Sequence, residues 1–372
     1  MTLRLPRRVL MTADAVGGVW QFSLDLARGL SAAGTGVRLA VLGPPPTPER
    51  VAEAAAVPGL TLDVTELPLD WTAENEAEIA EAAAALAARA GKADLVHLNH
   101  PVFAEARWSA PVLSVVHSCH GSWWDAMRGD AIMPPGFRWR AARMRRALAA
   151  SARVVAPTAA LADVLERLYQ PPRRIAVIRN GRQPAPRAAE AEAEAGAGPF
   201  VLTAGRLWDE AKNIATLDAA AAEIDVPVVA AGPVEGPNGE RAEAKTLVLA
   251  GELSAVQMAA RLRAARVFVS AARYEPFGLA VLEAAQAARP LVLSDIPTFR
   301  ELWEGAALFV PWDDPAAFAR QVRRLLDDPA EAERWGAHAA RRAARYSVAS
   351  MIEGYGRAYS TLMARQPNGA AG

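Results

Sequence analysis

Short apolar segments alternate with alanine-rich, helix-forming stretches along almost the whole chain, and this alternation leaves few folds open. The first set of strand-like segments is Arg8–Thr12, Val37–Leu42, Leu60–Val64, Asp94–Asn99, Val112–His117, Arg153–Pro157 and Ile175–Arg179. Helix-forming stretches such as Trp20–Ala33 and Glu74–Ala90 fill the gaps. A second set follows at Phe200–Gly205, Val226–Gly232, Thr246–Ala250, Arg266–Ala271, Leu291–Ser294 and Leu308–Pro311. Runs of this length, each followed by a helical pattern, predict parallel sheets covered by helices on both faces. At 372 residues the chain exceeds one ordinary core, so two doubly wound α/β domains are expected. Gln183–Pro199, with proline, Ala/Glu repeats and two glycines, has linker composition with helix potential. The expected division is residues 1–185, a linker at 186–198, a second domain at 199–346 and a terminal helical segment at 347–372.

Charge and cysteine content narrow the functional classes. Lysine plus arginine equals aspartate plus glutamate, 41 each, which speaks against nucleic acid as the main partner. The single cysteine, Cys119, allows no intrachain disulfide and suits a reducing compartment. No apolar run reaches membrane-span length, and the basic start at Met1–Arg8 leads into a strand rather than a signal-peptide core. A cytoplasmic location is expected. Lysine occurs only at Lys92, Lys212 and Lys245, so a lysine beside a motif carries more weight here than in an ordinary sequence.

The strongest chemical signal is Tyr274-Glu275-Pro276-Phe277-Gly278-Leu279-Ala280-Val281-Leu282-Glu283. Glu275 falls in the loop after a strand, Pro276 is placed to open the next helix, and Glu283 lies about two turns further on. Ligands of open α/β sheets bind at the carboxyl ends of the strands. Free helix N–H groups there suit an anion, and carboxylates accept hydrogen bonds from hydroxyls. A ligand with phosphates and hydroxyls, such as a sugar nucleotide, meets both requirements.

Other segments support this reading less specifically. Gly17-Gly18 sits between the first strand and its helix, where it would let a phosphate approach the backbone or simply make a turn. Arg206 and Lys212 span one strand–helix loop and would together neutralise a diphosphate; the plainer reading is a solvated loop. Four of the five histidines fall in His97-Leu98-Asn99-His100 and His117-Ser118-Cys119-His120. Their spacing matches no common zinc pattern, so substrate contact for some and structural roles for others, such as His97 and His120, are preferred to a metal. Phe137–Arg146 is basic and helical. The segment 137–149 is therefore a candidate for peripheral contact with anionic lipid at the inner membrane face, against the plainer reading of a packed helix with solvated arginines. Trp123-Trp124 and Trp139 suit either an acceptor groove or a core.

Together these residues resemble the retaining glycosyltransferases of family 4, which have the GT-B fold (glycosyl transferases group 1). The matching pieces are Asp14 with Gly17-Gly18-Val19, His117, Asn180-Gly181, Gly205-Arg206-Leu207, Lys212-Asn213, Ala231-Gly232, the Glu275–Glu283 pair and Asp295–Glu301. The resemblance implies two Rossmann-like domains facing a central cleft, with the nucleotide-sugar donor held mainly by the second. Glu283 would take the ribose hydroxyls. Glu275, with backbone N–H groups around Phe277, Gly278 and Leu279, would hold the sugar. Arg206 and Lys212 would grip the diphosphate without a metal, Gly17 and Gly18 would close over it, and His117 would face the sugar. The acceptor, a glycan, lipid or small molecule, would lie against the first domain, and the last helix would return to that domain. The resemblance leaves the donor base undefined and implies no cofactor.

One position departs from the family pattern. Ala288 stands where a glycine usually follows the Glu-bearing helix, which suggests a small local change in how that helix ends. Rival readings are another GT-B enzyme, namely a sugar-nucleotide epimerase or a phosphorylase, and a nucleotide-sugar-binding protein without turnover. The intact Arg206, Lys212, Glu275 and Glu283 disfavour the last. An NAD enzyme lacks support because no G-x-G-x-x-G follows the first strand.

Overall fold

The computed structural model describes residues 5–184, 198–237 and 239–365. The linker expected at 186–198 lies almost entirely outside the described residues. The chain divides into two compact units, one running to Gly181 and resumed from Val348, the other spanning Arg182–Ser347.

The sheet of the first unit is built from β1 (Arg8–Asp14), β2 (Gly36–Leu42), β3 (Leu60–Val64), β4 (Leu95–Leu98), β5 (Val112–Val115), β6 (Arg153–Ala156) and β7 (Ala176–Val177). All pairings are parallel, in the order β3-β2-β1-β4-β5-β6-β7. Its helices are α1 (Gly18–Ala32), α2 (Pro48–Ala55), α3 (Glu76–Arg89), α4 (His120–Arg128), α5 (Pro135–Ala150) and α6 (Ala159–Tyr169). Successive residues of β1 serve opposite faces. Val9, Met11 and Ala13 join one core cluster and Leu10 the other. A sheet covered on both sides favours apolar residues at successive positions, which is why Val9, Leu10 and Met11 follow one another without alternating with polar residues.

The second unit contains β8 (Val201–Ala204), β9 (Val228–Ala231), β10 (Val248–Gly251), β11 (Val267–Ser270), β12 (Leu291–Ser294) and β13 (Leu308–Val310). They run parallel in the order β10-β9-β8-β11-β12-β13. The helices are α7 (Ile214–Ala221), α8 (Ala255–Ala264), α9 (Leu279–Gln286), α10 (Pro297–Trp303), α11 (Pro315–Asp327) and α12 (Pro329–Ala343). The last described helix, α13 (Val348–Ala364), belongs to the first unit. It buries Met351, Tyr355, Tyr359 and Leu362 in the same cluster as Trp20, Phe22 and Leu24 of α1.

Each strand order reverses direction once, between β1 and β4 in the first sheet and between β8 and β11 in the second. At such a point the loops leaving neighbouring strands part to opposite faces and open a crevice at their carboxyl ends.

Two expectations need correction. Pro276 does not open a helix: α9 begins three residues later, at Leu279, after a turn that ends on Gly278 at φ +85°. That left-handed backbone is incompatible with helix, so the helix waits until the next residue. A Cβ at Gly278 would also lie 3.3 Å from Glu275, Phe299 and Val281. The second correction concerns Ala288. The end of α9 is not remodelled, because Ala288 adopts the left-handed conformation (φ +56°) that the usual glycine would take. Arg289 N–H then reaches back to the Ala284 carbonyl at 3.0 Å. Close packing leaves little alternative, since Gly336 of α12 lies directly against the Ala288 carbonyl.

Candidate active site

In the second unit, candidate residues gather at the carboxyl ends of β8 and β11, where the strand order reverses. Gly205 and Arg206 leave β8 beside β9, and the approach is so close that a Cβ on Gly232 would lie 1.8 Å from the Gly205 carbonyl oxygen. Only glycine fits there. Arg206 donates to Asp209 at 2.8 Å and lies over the Trp208 ring. Asp209 in turn accepts from the Ala211 N–H at 3.0 Å and so shapes the tight turn at Glu210–Lys212. Asn213 then takes a left-handed conformation and donates to the Ala271 and Trp312 carbonyls at 3.0 and 2.7 Å. These bonds tie the loop after β8 to the chain leaving β11 and β13.

This tether brings Lys212 to Glu275. Their side chains form an ion pair at 2.6 Å, each half-buried at 17% exposure. Charge-assisted bonds of this length are among the stronger polar contacts in proteins. Glu283, on α9, accepts from Arg182 Nε at 2.6 Å, and Gln286 Nε2 donates to the Arg182 carbonyl at 2.8 Å. Phe277 is buried against Tyr346, while Gly278 and Leu279 mark the N-terminus of α9. Arg206, Lys212, Glu275, Phe277, Gly278 and Leu279 thus share one strand-end region, and Glu283 continues it along α9. The roles of Asp209 and Arg182 were not legible beforehand, because nothing in their local sequence marks the partners they meet.

In the first unit the strand-end residues belong to β1, β4 and β5. Asp14 closes β1, and its Oδ1 accepts from the Val16 and Gly17 N–H groups at 2.9 and 3.2 Å. Its Oδ2 lies 3.2 Å from His100 Nε2. Burial acts to raise the Asp14 carboxyl, but the hydrogen bond and charge of His100, with the two backbone donors, outweigh it and bring the pKa to about 2. Gly17 caps α1, which begins at Gly18.

The histidines divide by role. His97 is fully buried, between Tyr359 O–H at 2.6 Å and Asn99 Oδ1 at 3.0 Å. His117 Nε2 contacts the same Asn99 oxygen at 2.9 Å, and the Phe22 ring packs edge-on at 4.5 Å. Burial lowers both imidazoles, to about 4 for His97 and about 3 for His117; the charges of His97 and His100 add to the effect at His117. His120 turns away to Asp70 at 3.3 Å and to the Phe137 ring. Cys119 is buried against Ser122 and Tyr169. Among the described residues no group of three or more His, Cys, Asp or Glu side chains converges on a point that could hold a metal ion.

The basic segment forms α5, and most of its guanidinium groups serve the protein itself. Arg140 donates to the Asp70 and Ala73 carbonyls, Arg143 to Val102, Arg145 to Leu168 and Tyr169, and Arg146 pairs with Glu76 and Glu105. Trp123 and Trp124 pack on Phe137, and Arg140 lies over Trp139. No described helix is long and apolar enough to cross a membrane.

Comparison with known proteins places the fold and the family. Residues 16–185 match the family model described as Glycosyltransferase Family 4, and residues 198–328 match that described as Glycosyl transferases group 1. A D-inositol 3-phosphate glycosyltransferase of Streptomyces avermitilis is 30% identical over 292 residues, covering 68% of this chain and 62% of that relative's length. Sucrose-phosphate synthase from Thermosynechococcus elongatus superposes with a TM-score of 0.76 at 21% identity, covering 96% of this chain and 99% of that one. Anabaena Alr3699/HepE in complex with UDP-glucose gives a TM-score of 0.74 at 14% identity, covering 95% of this chain and 99% of that one. At such identities the two structures speak for the fold. With both halves matched in order and both sheets of the expected kind, the chain belongs to the family-4 glycosyltransferases (glycosyl transferases group 1) of the GT-B fold.

Proposed function

We propose that this protein is a retaining glycosyltransferase that moves a sugar from a nucleoside-diphosphate sugar to an acceptor hydroxyl without a metal. The observation that carries the reading is the meeting of Lys212 and Glu275 at the strand-order reversal of the second sheet, with Arg206 on the same loop. A cation and a carboxylate held side by side at a strand-end crevice suit a ligand that has a diphosphate next to a hydroxylated ring. On this reading residues 199–346 hold the donor and residues 1–185 the acceptor.

The chemistry follows from charge. The bond from the anomeric carbon to the phosphate oxygen breaks, and negative charge grows on the departing nucleoside diphosphate. Arg206 and Lys212 stabilise that charge where it develops, and fixed cations in a site shielded from water do this without reorganisation. Lys212 exchanges its bond to Glu275 for the phosphate, which frees Glu275 to accept from sugar hydroxyls. Glu283 takes the ribose through the carboxylate oxygen that Arg182 Nε leaves open. The acceptor hydroxyl forms the new bond on the face the phosphate leaves and passes its proton to a leaving phosphate oxygen, so the anomeric configuration is kept.

The uridine nucleotide named with the Anabaena structure makes UDP-sugars the first donors to try. The inositol phosphate in the name of the Streptomyces relative makes a polyol phosphate the first acceptor. The test is a thermal-shift screen against UDP, GDP, ADP and their sugar conjugates in EDTA. Transfer with the selected donor is then followed by NMR of the product's anomeric proton. Stabilisation by one nucleotide sugar and a retained configuration are expected. No stabilisation by any conjugate, or an inverted product, would overturn the reading.

A further inference from the structure

We propose that Asn99 is a positioning residue that sets the tautomer of His117, so that His117 offers an unprotonated Nδ1 to a substrate group bearing O–H or N–H. This deepens the glycosyltransferase reading, on which its substrate part rests.

The two ends of the Asn99 amide are distinguishable by their partners. Its nitrogen lies 2.7 Å from the Thr12 carbonyl oxygen, which can only accept. The same nitrogen lies 3.0 Å from Ser23 Oγ, whose own proton is directed to the Val19 carbonyl at 2.7 Å. Both amide hydrogens are therefore used, and a flipped amide would set oxygen against oxygen. The Asn99 backbone N–H, bound to Thr12 Oγ1 at 2.9 Å, holds the residue in place.

The other end, Oδ1, faces two imidazoles, His97 Nε2 at 3.0 Å and His117 Nε2 at 2.9 Å. A carbonyl oxygen only accepts, so both rings carry their proton on Nε2. Burial keeps both rings neutral, which leaves both Nδ1 atoms unprotonated. At His97 that lone pair is met by the Tyr359 hydroxyl at 2.6 Å, which burial keeps protonated. At His117 the Nδ1 atom has no hydrogen-bond partner among the described residues. The Phe22 ring, edge-on to the imidazole, fixes its plane.

The chain of contacts is Tyr359, His97, Asn99, His117, and each link allows one proton arrangement. Its outcome is chemical selectivity. A neutral Nδ1 accepts a hydrogen bond from a sugar hydroxyl or amino group. It repels a phosphate or carboxylate oxygen, which offers no proton. His117 therefore faces the hydroxylated part of a substrate, not its anionic part.

Nitrogen-15 NMR of histidine-labelled protein reads the tautomer directly. The chain has five histidines, and a His117→Gln sample identifies the His117 signals. In the unsubstituted protein at pH 7.5, His117 is expected to show a protonated Nε2 and an unprotonated Nδ1. A protonated Nδ1, or averaged signals of both tautomers, would overturn the proposal. Asn99→Leu removes the acceptor and should shift His117 to an averaged pair; an unchanged His117 spectrum in a folded Asn99→Leu sample would also overturn it. With the donor found by thermal shift, Asn99→Leu should lower kcat roughly 10- to 100-fold, the usual cost of losing a partner that orients a working imidazole. Absence of transfer in the unsubstituted protein would remove the glycosyltransferase reading and leave the tautomer assignment to stand or fall on its spectrum.

Discussion

Lowering the pH from 8 to 5.5 should weaken the first unit selectively, by an amount that follows from its two buried imidazoles. An unfolded histidine has a pKa of 6.5, whereas His97 and His117 fall to about 4 and about 3 in the folded protein. Because the folded values are depressed, nothing is lost above pH 6.5. Below it the unfolded chain binds protons that the folded unit refuses, so stability falls with pH until the folded groups themselves titrate near 4. At pH 5.5 the cost is set by the unfolded pKa alone, about 1.4 kcal/mol for a group one unit below it. His97 is fully buried and should contribute all of this. His117 is partly exposed and should contribute less, which gives a sum of about 2–3 kcal/mol. Hydrogen exchange by mass spectrometry, corrected for the intrinsic pH dependence of amide rates, measures the opening energy of each sheet. Peptides covering β4 and β5 should lose about 2–3 kcal/mol of protection between pH 8 and 5.5. Those covering β8, β11 and β12 provide the control, because the second unit contains only one histidine, His338. In His97→Gln the loss in β4 and β5 should shrink by about half. Equal losses in both units, or none in β4 and β5, would refute the assignment of these two rings as the acid-sensitive groups.

Lys212→Ala should reduce transfer at least ~100-fold, as expected for removal of a charge aimed at the leaving group, with the melting temperature within a few degrees of normal; near-normal turnover would remove Lys212 from the mechanism. Glu283→Ala should leave the fold intact but abolish transfer and the thermal shift from the nucleoside diphosphate; retained binding would show that the ribose is held elsewhere. Ala288→Gly should stabilise the second unit in urea titrations. Left-handed alanine costs ~1–2 kcal/mol, of which ~0.4–1 is offset by glycine's freer unfolded chain, so a net gain of ~0.5–1 kcal/mol is expected, and a loss would contradict the strain argument. Co-sedimentation with vesicles should be unchanged by anionic lipid, because Arg140, Arg143, Arg145 and Arg146 are engaged within the protein; lipid-dependent pelleting that Arg138→Gln reduces would restore α5 as a membrane contact.

Much of the second unit's candidate site could be read from the sequence because its chemistry is local. The interval from Glu275 to Glu283 and the loop from Gly205 to Asn213 set residue types at strand ends, where a parallel sheet exposes its ligand-binding edge. The scarcity of lysine singled out Lys212, and the lack of a glycine after α9 singled out Ala288. What the sequence left open there was detail: Pro276 read as a helix opener, and only the packed turn shows that Gly278 must adopt its left-handed backbone first.

Periodicity and composition by themselves determined two sets of parallel strands and the place of the candidate groups at strand ends, while the family came from the resemblance its motifs carry. These are properties of neighbours in the chain, where side-chain alternation, capping and turn preference act over a few residues. Tertiary structure decided which groups meet. Lys212 and Glu275 are 63 positions apart, Arg182 and Glu283 are 101 apart, and His97 and Tyr359 are 262 apart. No local signal marks Tyr359, which reaches His97 only because α13 packs on the first unit. No local signal marks Asn99 either; only the folded sheet brings its amide oxygen to both His97 and His117. Protonation follows the same division: a histidine's pKa of 6.5 belongs to the residue, but burial and a shared carbonyl oxygen, which only folding supplies, decide that His117 stays neutral and which of its nitrogens carries the proton.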